Sequence, residues 1–474
     1  VTALRCSEPL RYKVGGPSEV YAIFCGMGPP GERWWLLREL SVSVRILGNN
    51  DSIDRFLDPL VNYHIMVMEE KILNLHFYQG KSNYLVENNI KEKEYKQAVK
   101  AKIAEFFNMK NVCFLFGAGT SCPAIPNMAG LYAKVEKALK GNYLEKRFGK
   151  IAKACDNKLE EILSVLYSGR AYYQGFGDGY KYREEKCSDL IKFIEEIIFK
   201  SINIDFAKGK APEVLETYKS FYQKIAFRNK DLSRICVFTT NNDLFNERAM
   251  DNLNIHYVNG FSGGIKKHFN PAMFNYTYSK RMDVSIDKYE PVENMVYFYK
   301  IHGSVNWIDD DKDDSNFFSI MEDTNPKWKE DKNILIYPTP TKQNKSLGAP
   351  YVDLFREFQH RLLEPNTVLF VMGYGFNDEH VNDVIYRALA TNTTFNLVVI
   401  DHIAEEKPIC KIDDKRIFRL WGEVENPDPG KDNIQMHYFD YTVREWMPNL
   451  NAFAQEEKIV KDFVKGLKEM SKKI

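Results

Sequence analysis

The fold is decided by residues 112–121, which read Val-Cys-Phe-Leu-Phe-Gly-Ala-Gly-Thr-Ser. The first five residues are an unbroken apolar run, which is typical of a strand buried on both faces of a sheet. Two glycines follow at once, and beyond Pro126 the residues Leu131, Val135 and Leu139 recur at helical spacing. The stretch therefore predicts a strand, a glycine turn and a helix, in that order.

Apolar runs of the same kind recur later in the chain, at 235–238, 296–299, 334–337, 368–372 and 397–400. Several of them are separated by helical segments such as 378–389. This alternation indicates a parallel sheet covered by helices on both faces. The predicted fold class is α/β, a Rossmann-like doubly wound parallel sheet with a large helical insertion module.

The predicted organisation has five parts: an N-terminal extension at 1–88, a first α/β segment at 89–134, the helical insertion at 135–228, the rest of the α/β domain at 229–445, and a C-terminal helix at 446–474. The first 65 or so residues contain several Gly-Pro turns and begin with Val. They are either a weakly structured extension or an annotated start upstream of the real one, with Met66 and Met68 as candidate starts.

Composition narrows the classes of function. The 474 residues carry 65 Lys+Arg against 65 Asp+Glu, and 44% are hydrophobic, so the chain can build a core. A net charge of zero argues against a protein that binds nucleic acid over its whole surface, although a local basic patch stays possible. No apolar run approaches the roughly 18 residues of a membrane span. A cytoplasmic protein without a membrane partner is expected.

The cysteines argue against a metal site. There are eight of them, without a Cys-x-x-Cys pair: Cys6, Cys25, Cys113, Cys122, Cys155, Cys187, Cys236 and Cys410. A zinc ribbon or a disulfide scaffold would need tighter spacing. We therefore expect no metal in this chain.

The first candidate site is the glycine turn, residues Gly117, Ala118, Gly119, Thr120 and Ser121. Two glycines at a strand end let the backbone approach a pyrophosphate, and the amides and the Ser121 hydroxyl can donate to it. On its own the motif is equally consistent with a tight turn.

Two further strand ends carry polar side chains. The strand ending at Phe238 is followed by Asn241 and Asp243, and the strand ending at Tyr299 is followed by His302. Because ligands of doubly wound sheets lie at the carboxyl ends of the strands, these side chains are expected in one crevice with the glycine turn. The alternatives are an Asx turn for Asp243 and a structural histidine.

The last two candidates follow the strands at 368–372 and 397–400. Gly373 and Tyr374 open a second glycine turn, and Asp401 ends the next strand. A carboxylate there can accept hydrogen bonds from a ribose diol and would repel a 2′-phosphate, which favours NAD over NADP. A solvated turn residue is the alternative for Asp401.

Taken in this order, the Gly-Ala-Gly-Thr-Ser, Thr-Thr-Asn-Asn-Asp, Ile-His-Gly-Ser and Met-Gly-Tyr-Gly-Phe motifs resemble the sirtuin-like (silent information regulator-like) NAD-consuming family, over residues 90–445. The Tyr-Gln-Gly at 78–80 and the helical insert resemble most closely the antiphage-defence branch, in particular the subunit paired with a HerA-type hexameric ATPase and DNA translocase.

The resemblance implies NAD as substrate and a role for each matching residue. Residues 117–121 would cradle NAD, Asn241 would hold the nicotinamide ribose and the attacking water, and Asp243 would support it. His302 would be the essential histidine. Gly373, Tyr374 and Asp401 would contact the adenosine half, although the family more often has Thr or Ser after that glycine and Asn at the last position.

Two departures from the family pattern favour hydrolysis. The cysteine spacing cannot build the four-cysteine zinc site of the deacylases, and Asn127-Met128 stands where they have Phe-Arg. Water is then the expected acceptor, giving an NAD glycohydrolase that would deplete NAD in abortive infection. The alternatives are an ADP-ribosyl transferase or deacylase, and a non-catalytic subunit that senses NAD or ADP-ribose. Expected partners are further copies of the chain and the ATPase, with DNA reached only through that complex.

Overall fold

The computed structural model describes residues 71–225, 231–283, 287–309, 319–329 and 350–448, together with five strands outside these ranges. The chain divides into two compact units, 1–70 and 71–474. In the first unit, strands β1 (Leu10–Lys13), β2 (Glu19–Met27), β3 (Glu32–Leu37) and β4 (Val42–Leu47) form an antiparallel sheet in chain order.

The second unit contains seventeen described strands: β5 (Ile72–Gln79), β6 (Ser82–Asn83), β7 (Asn111–Phe116), β8 (Ile235–Thr239), β9 (His256–Val258), β10 (Phe261–Ser262), β11 (His268–Phe269), β12 (Ser279–Arg281), β13 (Tyr289–Pro291), β14 (Met295–Lys300), β15 (Gly303–Asp309), β16 (Ile320–Glu322), β17 (Asn333–Leu335), β18 (Thr367–Met372), β19 (Asn396–Ile400), β20 (Ile417–Val424) and β21 (Ile434–Gln435).

Its longer helices are α1 (Tyr95–Phe107), α2 (Met128–Leu139), α3 (Glu145–Ala154), α4 (Leu159–Gly175), α5 (Lys181–Ile202), α6 (Ala211–Ile225), α7 (Phe245–Asn252), α8 (Tyr351–Leu363) and α9 (Glu379–Thr391). Shorter helical turns lie at Tyr84–Glu87, Glu92–Glu94, Ala118–Ser121, Gly177–Tyr180, Pro271–Asn275, Pro408–Lys411, Phe439–Tyr441 and Thr442–Trp446. None of the described helices has the length and apolar composition that crossing a membrane requires.

The main sheet has the order β6-β5-β20-β19-β18-β7-β8-β14-β9, with β21 paired to β20. The seven strands from β20 to β9 are parallel. Strands β5 and β21 pair antiparallel with β20, and β6 pairs antiparallel with β5. The strand order reverses at β7, which lies between β18 and β8. Doubly wound sheets bind their ligands beside such a reversal, at the carboxyl ends of the strands.

Both faces of the sheet are covered, as the apolar runs predict. In β7, alternate side chains belong to two different cores: Phe114 packs with α1, α6 and α7, and Leu115 packs with α8 and α9 on the opposite face. A strand buried on both faces has no polar side to alternate with, so its sequence is continuously apolar. The predicted Rossmann-like α/β class is confirmed.

The helices α2 to α5 form a third core of their own, made of residues such as Leu131, Leu163 and Ile194. Helix α6 instead buries Tyr218, Phe221 and Tyr222 in the core of the sheet. The helices that share this third core, which also includes Val305 of β15, therefore run from Met128 to Ile202.

One predicted parallel strand lies elsewhere. The run at 334–337 was expected in the parallel sheet, but β17 pairs antiparallel with β15 in a second sheet of order β10-β11-β16-β15-β17. An apolar run predicts a buried strand without specifying its neighbour, so this expectation was wrong about the sheet. The predicted C-terminal helix at 446–474 falls almost wholly on 449–474, outside the described residues.

Candidate functional site

Five strands deliver the predicted site residues to one edge of the main sheet. Parallel strands end on the same side, so the glycine turn after β7, Asn241 after β8, His302 after β14, Gly373 after β18 and Asp401 after β19 all stand at the carboxyl edge. The topology thus gathers residues that are up to 284 positions apart in the chain, counted from Gly117 to Asp401.

The two glycine turns pack directly against each other. The Gly119 amide donates to the Gly373 carbonyl at 2.9 Å, and the Gly117 amide donates to the Met372 carbonyl at 3.0 Å. A Cβ added to Gly117 would lie 2.4 Å from the Gly373 oxygen, and one added to Gly373 would lie 2.6 Å from the Thr120 nitrogen. Only glycine permits this backbone contact, and Gly373 also has φ +63°.

Asn241 is the centre of the hydrogen-bond network. Its side chain is buried, and Nδ2 donates to the Gly117 carbonyl at 3.0 Å, to Thr120 Oγ1 at 3.1 Å and to Ser121 Oγ at 3.0 Å. The amide of Asn241 itself donates to Thr239 Oγ1 at 3.0 Å. The side chain after β8 is therefore fixed to the turn after β7.

Asp243 completes this network from the same loop. Ser121 Oγ donates to Asp243 Oδ2 at 2.6 Å, and Asp243 Oδ1 accepts the Phe245 amide at 3.1 Å. The second contact is an Asx turn at the start of α7, so the carboxylate both shapes the loop and holds Ser121. The Asx turn considered for Asp243 is present, and its role in supporting Asn241 at an NAD site stays a prediction.

Tyr218 belongs to the same network, and the sequence did not identify it. Its hydroxyl lies 2.7 Å from Thr120 Oγ1 and 3.1 Å from Ser121 Oγ. Burial and the nearby Asp243 hold the pKa of Tyr218 well above its ordinary value, so it stays a neutral phenol. The only sequence signal was a tyrosine within the apolar stripe of α6, which is also what core packing requires.

His302 is held from two sides. Its Nε2 lies 3.1 Å from Asp378 Oδ2, and its carbonyl accepts Asn242 Nδ2 at 2.7 Å. Asp378 also begins α9, because its Oδ1 accepts the His380 amide at 3.1 Å. Asp378 therefore caps α9 and also contacts the histidine.

A buried ion pair supports the loop from beneath. Lys300 Nζ lies 2.8 Å from Glu247 Oε1 and also donates to the Asp243 carbonyl. Burial raises the pKa of Glu247, and the Lys300 charge opposes that rise. A paired cation one residue before the His302 turn thus fixes the Asp243 backbone without adding net charge.

The adenosine-side candidates differ in access. Tyr374 is buried and turned inward, where its hydroxyl donates to the Asp378 carbonyl at 3.1 Å and to Asn382 Oδ1 at 3.0 Å. Asp401 is half-buried beside the exposed His402, two strands or roughly 10 Å from β7. Burial raises the pKa of Asp401 to about 6.

An aromatic cluster adjoins Asp401, and sequence reasoning missed it. The Trp421 ring lies 5.9 Å from the ring of His402 and 5.3 Å from that of Tyr78, in nearly parallel planes. The Arg419 guanidinium lies 5.4 Å from the Tyr78 ring. The antiparallel pairing of β20 with β5 assembles this cluster, and neither strand shows it alone.

The structure brings the residues of 117–121, Asn241, Asp243 and Gly373 into one contact network and places His302 and Asp401 further along the same edge. Among the residues described, no group of three or more His, Cys, Asp or Glu side chains is arranged to hold a metal ion. Six described cysteines are free thiols.

Comparisons with known proteins agree in part with the expected family. Residues 235–419 match the family model of a SIR2-like domain, which supports a sirtuin-like family. No curated protein matches the chain. Among solved structures, a Sir2 homologue in complex with NAD is 11% identical with a TM-score of 0.32, over 66% of this chain and 86% of that one.

Two other solved structures are similar at the same level. A mutant Sir2 homologue bound to 2′-O-acetyl ADP ribose is 12% identical with a TM-score of 0.29, over 66% of this chain and 88% of that one. A structure described as a basis for the mechanism and regulation of Sir2 enzymes is 12% identical with a TM-score of 0.31, over 67% and 90%.

The contact between the glycine turns predicts a steric effect. Gly117→Ala should lower the free energy of unfolding by about 1–3 kcal/mol, because its Cβ overlaps backbone atoms that cannot move alone. Gly149→Ala is the control, since a Cβ there meets nothing within 4 Å and alanine favours the helix. Urea denaturation measures both, and equal stability of the two variants would contradict the packing.

The environment of Asp401 predicts a pH dependence. Its folded pKa of about 6 lies above the ordinary 3.8, so the folded state binds the proton more tightly than the unfolded state. The contribution of Asp401 to the free energy of unfolding is therefore fully present below pH 4 and is lost as the pH rises to 6. Asp401→Asn should gain stability relative to the natural protein over that interval, as measured by denaturation at each pH. Asp432 is exposed, so the plot of stability against pH for Asp432→Asn should run parallel to that of the natural protein. A parallel plot for Asp401→Asn as well would contradict the raised pKa of Asp401.

Proposed function

We propose that this chain is an NAD glycohydrolase, which cleaves NAD to ADP-ribose and nicotinamide. The observation that carries the proposal is the network joining Asn241 to the glycine turn and Asp243, with His302 and its carboxylate partner at the same sheet edge. The SIR2-like match over 235–419 includes Asn241, Asp243 and His302. It supports NAD as the substrate.

The glycine turn suits the pyrophosphate. Backbone without side chains lets phosphate oxygens approach the amides at the end of β7, at the point where the strand order reverses. Gly117 and Gly119 are held in place by Gly373, so this backbone is preorganised. Their own amides already donate to the Met372 and Gly373 carbonyls, so the phosphate oxygens would meet the rest of the loop, whose rigidity avoids reorganisation during the reaction.

Asn241 is suited to orient water. All of its described side-chain hydrogen bonds use Nδ2, so Oδ1 is the atom that can accept a hydrogen bond from water. A water held through its O–H turns an oxygen lone pair toward the anomeric carbon. Breaking the nicotinamide–ribose bond develops an oxocarbenium-like centre, which a positioned water can attack.

His302 is suited to take the proton. When the Nε2 hydrogen donates to Asp378, Nδ1 is the ring nitrogen left to accept the proton, and the carboxylate stabilises the imidazolium that forms. The proton comes from a ribose hydroxyl or from the attacking water. Asp378 is then a positioning residue that acts through His302.

The adenosine half extends toward Asp401 in this proposal. The step from β7 across β18 to β19 spans roughly 10 Å, which suits a dinucleotide lying along the sheet edge. Asp401 would accept from the ribose diol and Gly373 would contact the backbone side of the ligand. Tyr374 would act from the core by fixing Asp378 and Asn382, since its side chain is buried.

The biological setting is part of the same proposal and rests on the motif resemblance alone. In it, the chain is a cytoplasmic, homo-oligomeric subunit of bacterial antiphage defence, which depletes NAD during abortive infection. Its partner is a HerA-type hexameric ATPase, through which the complex would reach DNA.

The proposed chemistry predicts the effect of two substitutions. Asn241→Ala and His302→Ala should each lower the rate of nicotinamide release by at least about 10²-fold, since each removes a group that acts in the transition state. Chromatography of NAD reactions, with and without a co-purified ATPase, measures the release. His360→Ala is the control, because His360 is exposed on α8.

The same experiment separates the alternatives. Unchanged release by either variant would contradict the assigned roles, provided that thermal melting shows both to be folded. Transfer of labelled ADP-ribose to protein, or loss of acyl groups from a peptide, would favour the transferase or the deacylase. Tight NAD binding without release, even with the ATPase, would favour a sensing subunit.

The His302–Asp378 contact predicts a split between capping and catalysis. Asp378→Asn keeps a side-chain oxygen that can begin α9, so stability should change by less than about 0.5 kcal/mol. It removes the charge beside His302, so kcat should fall about 10-fold or more with little change in KM. Asp378→Ala is the comparison and should lose stability as well. If Asp378→Asn has the same kcat as the natural protein, the carboxylate only caps the helix.

A further inference from the structure

Two cysteines face each other at the opposite end of the strands that carry the candidate site. Cys113 in β7 and Cys236 in β8 are register partners, so their side chains emerge on the same face of the sheet. Both are free thiols and almost fully buried. They are four and five residues before Gly117 and Asn241, roughly 13–16 Å along the strands.

The spacing of the two strands suits a covalent bond between them. Register partners on neighbouring strands lie about 4.8 Å apart. Disulfides join Cα atoms that are roughly 4.4–6.8 Å apart. The spacing of the strands therefore falls within the range that a disulfide spans.

A cavity of about 300 Å³ gives small molecules access to this pair. It opens at the amino-terminal edge of the sheet, and its lining includes both cysteines, Asn111, Arg361 and Tyr297. Asn111 is buried there, and its Oδ1 has no hydrogen-bond partner among the described residues. That oxygen is itself closed to solvent, so the cavity offers a small molecule its other polar groups, such as Arg361 and Tyr297.

The two thiols differ in pKa because of their contact with each other. That contact lowers the pKa of Cys236, together with the Arg361 charge and against burial, Glu364 and Glu357. The same contact and burial raise the pKa of Cys113, where Arg361 again lowers it and Glu364 raises it. Cys236 is therefore the sulfur better able to form a thiolate, which is the reactive nucleophile.

We propose that Cys113 and Cys236 form a peroxide-reactive dithiol, which closes to a disulfide between β7 and β8. The cavity is large enough to admit hydrogen peroxide. This site is separate from the proposed NAD site, because it lies at the other edge of the sheet.

The chemistry balances without another reactant. The Cys236 thiolate attacks one peroxide oxygen, so an S–O bond forms, the O–O bond breaks and hydroxide leaves. The resulting sulfenic acid is attacked by Cys113, which forms the S–S bond and releases water once the thiol proton is transferred. In total, two thiols and one peroxide give one disulfide and two waters.

The test is peptide mapping of the full chain after peroxide treatment and alkylation. We expect a reducible peptide pair containing Cys113 and Cys236 in the natural protein. Cys113→Ser should abolish that pair and leave Cys236 as a sulfenic acid that dimedone traps. Cys236→Ser should abolish the pair without dimedone labelling of Cys113. Cys122→Ser is the matched control, since Cys122 is exposed, and should leave the yield of the pair unchanged within about twofold.

Three outcomes would overturn the proposal. The first is that Cys113 and Cys236 are still recovered as alkylated thiols after a peroxide treatment that oxidises Cys122. The second is pairing of either cysteine with a different partner. The third is dimedone labelling of Cys113 instead of Cys236 in the single variants. The mapping of the natural protein needs no substitution, so it decides the matter even if a buried serine destabilises the fold. All these readouts are independent of NAD turnover.

Discussion

The direct backbone contact between the turns after β7 and β18 is the constraint on which the candidate site depends. Neighbouring parallel strands must end at the same level for the Gly119 amide to reach the Gly373 carbonyl. Any side chain at Gly117, Gly119 or Gly373 would occupy that space. The contact holds the crevice at the point of strand-order reversal, where a ligand can meet backbone amides instead of side chains.

Asn241 transmits this constraint to the neighbouring strand. Thr240 donates its amide to the Phe116 carbonyl at 3.0 Å, so the ladder between β7 and β8 continues to the edge of the site. The Asn241 side chain then reaches Gly117 because the backbone has already brought it there. Tyr218 and Asp243 occupy the remaining hydrogen-bonding positions around Thr120 and Ser121, so the buried polar groups of the turn are paired.

The strand ends were predictable because each has a local signature. A continuous apolar run followed by glycine or a polar residue marks Gly117, Asn241, His302, Gly373 and Asp401 without knowledge of the sheet order. The order itself was not readable, and so the run at 334–337 was assigned to the wrong sheet. Apolar runs state that a strand is buried and leave its neighbour unspecified.

Contacts across the fold were equally beyond local patterns. Tyr218 is 97 positions from Ser121, and the stripe that contains it describes a packed helix just as well. Asp378 stands where a helix cap is expected, and its pairing with His302 depends on how β14 and β18 are placed in the sheet. The orientation of Tyr374 toward the core likewise follows from α9, through Asn382.

The register between β7 and β8 fixes which residues face each other at both ends of the two strands. The alignment that places Cys113 opposite Cys236 also places Phe116 opposite Thr239, from which Asn241 follows after one residue. A slip of one residue would turn one cysteine to the other face of the sheet and would displace Asn241 from the glycine turn by about 3.3 Å. The hydrogen-bond ladder therefore couples the position of the dithiol to the geometry of the candidate site, although the two lie at opposite edges.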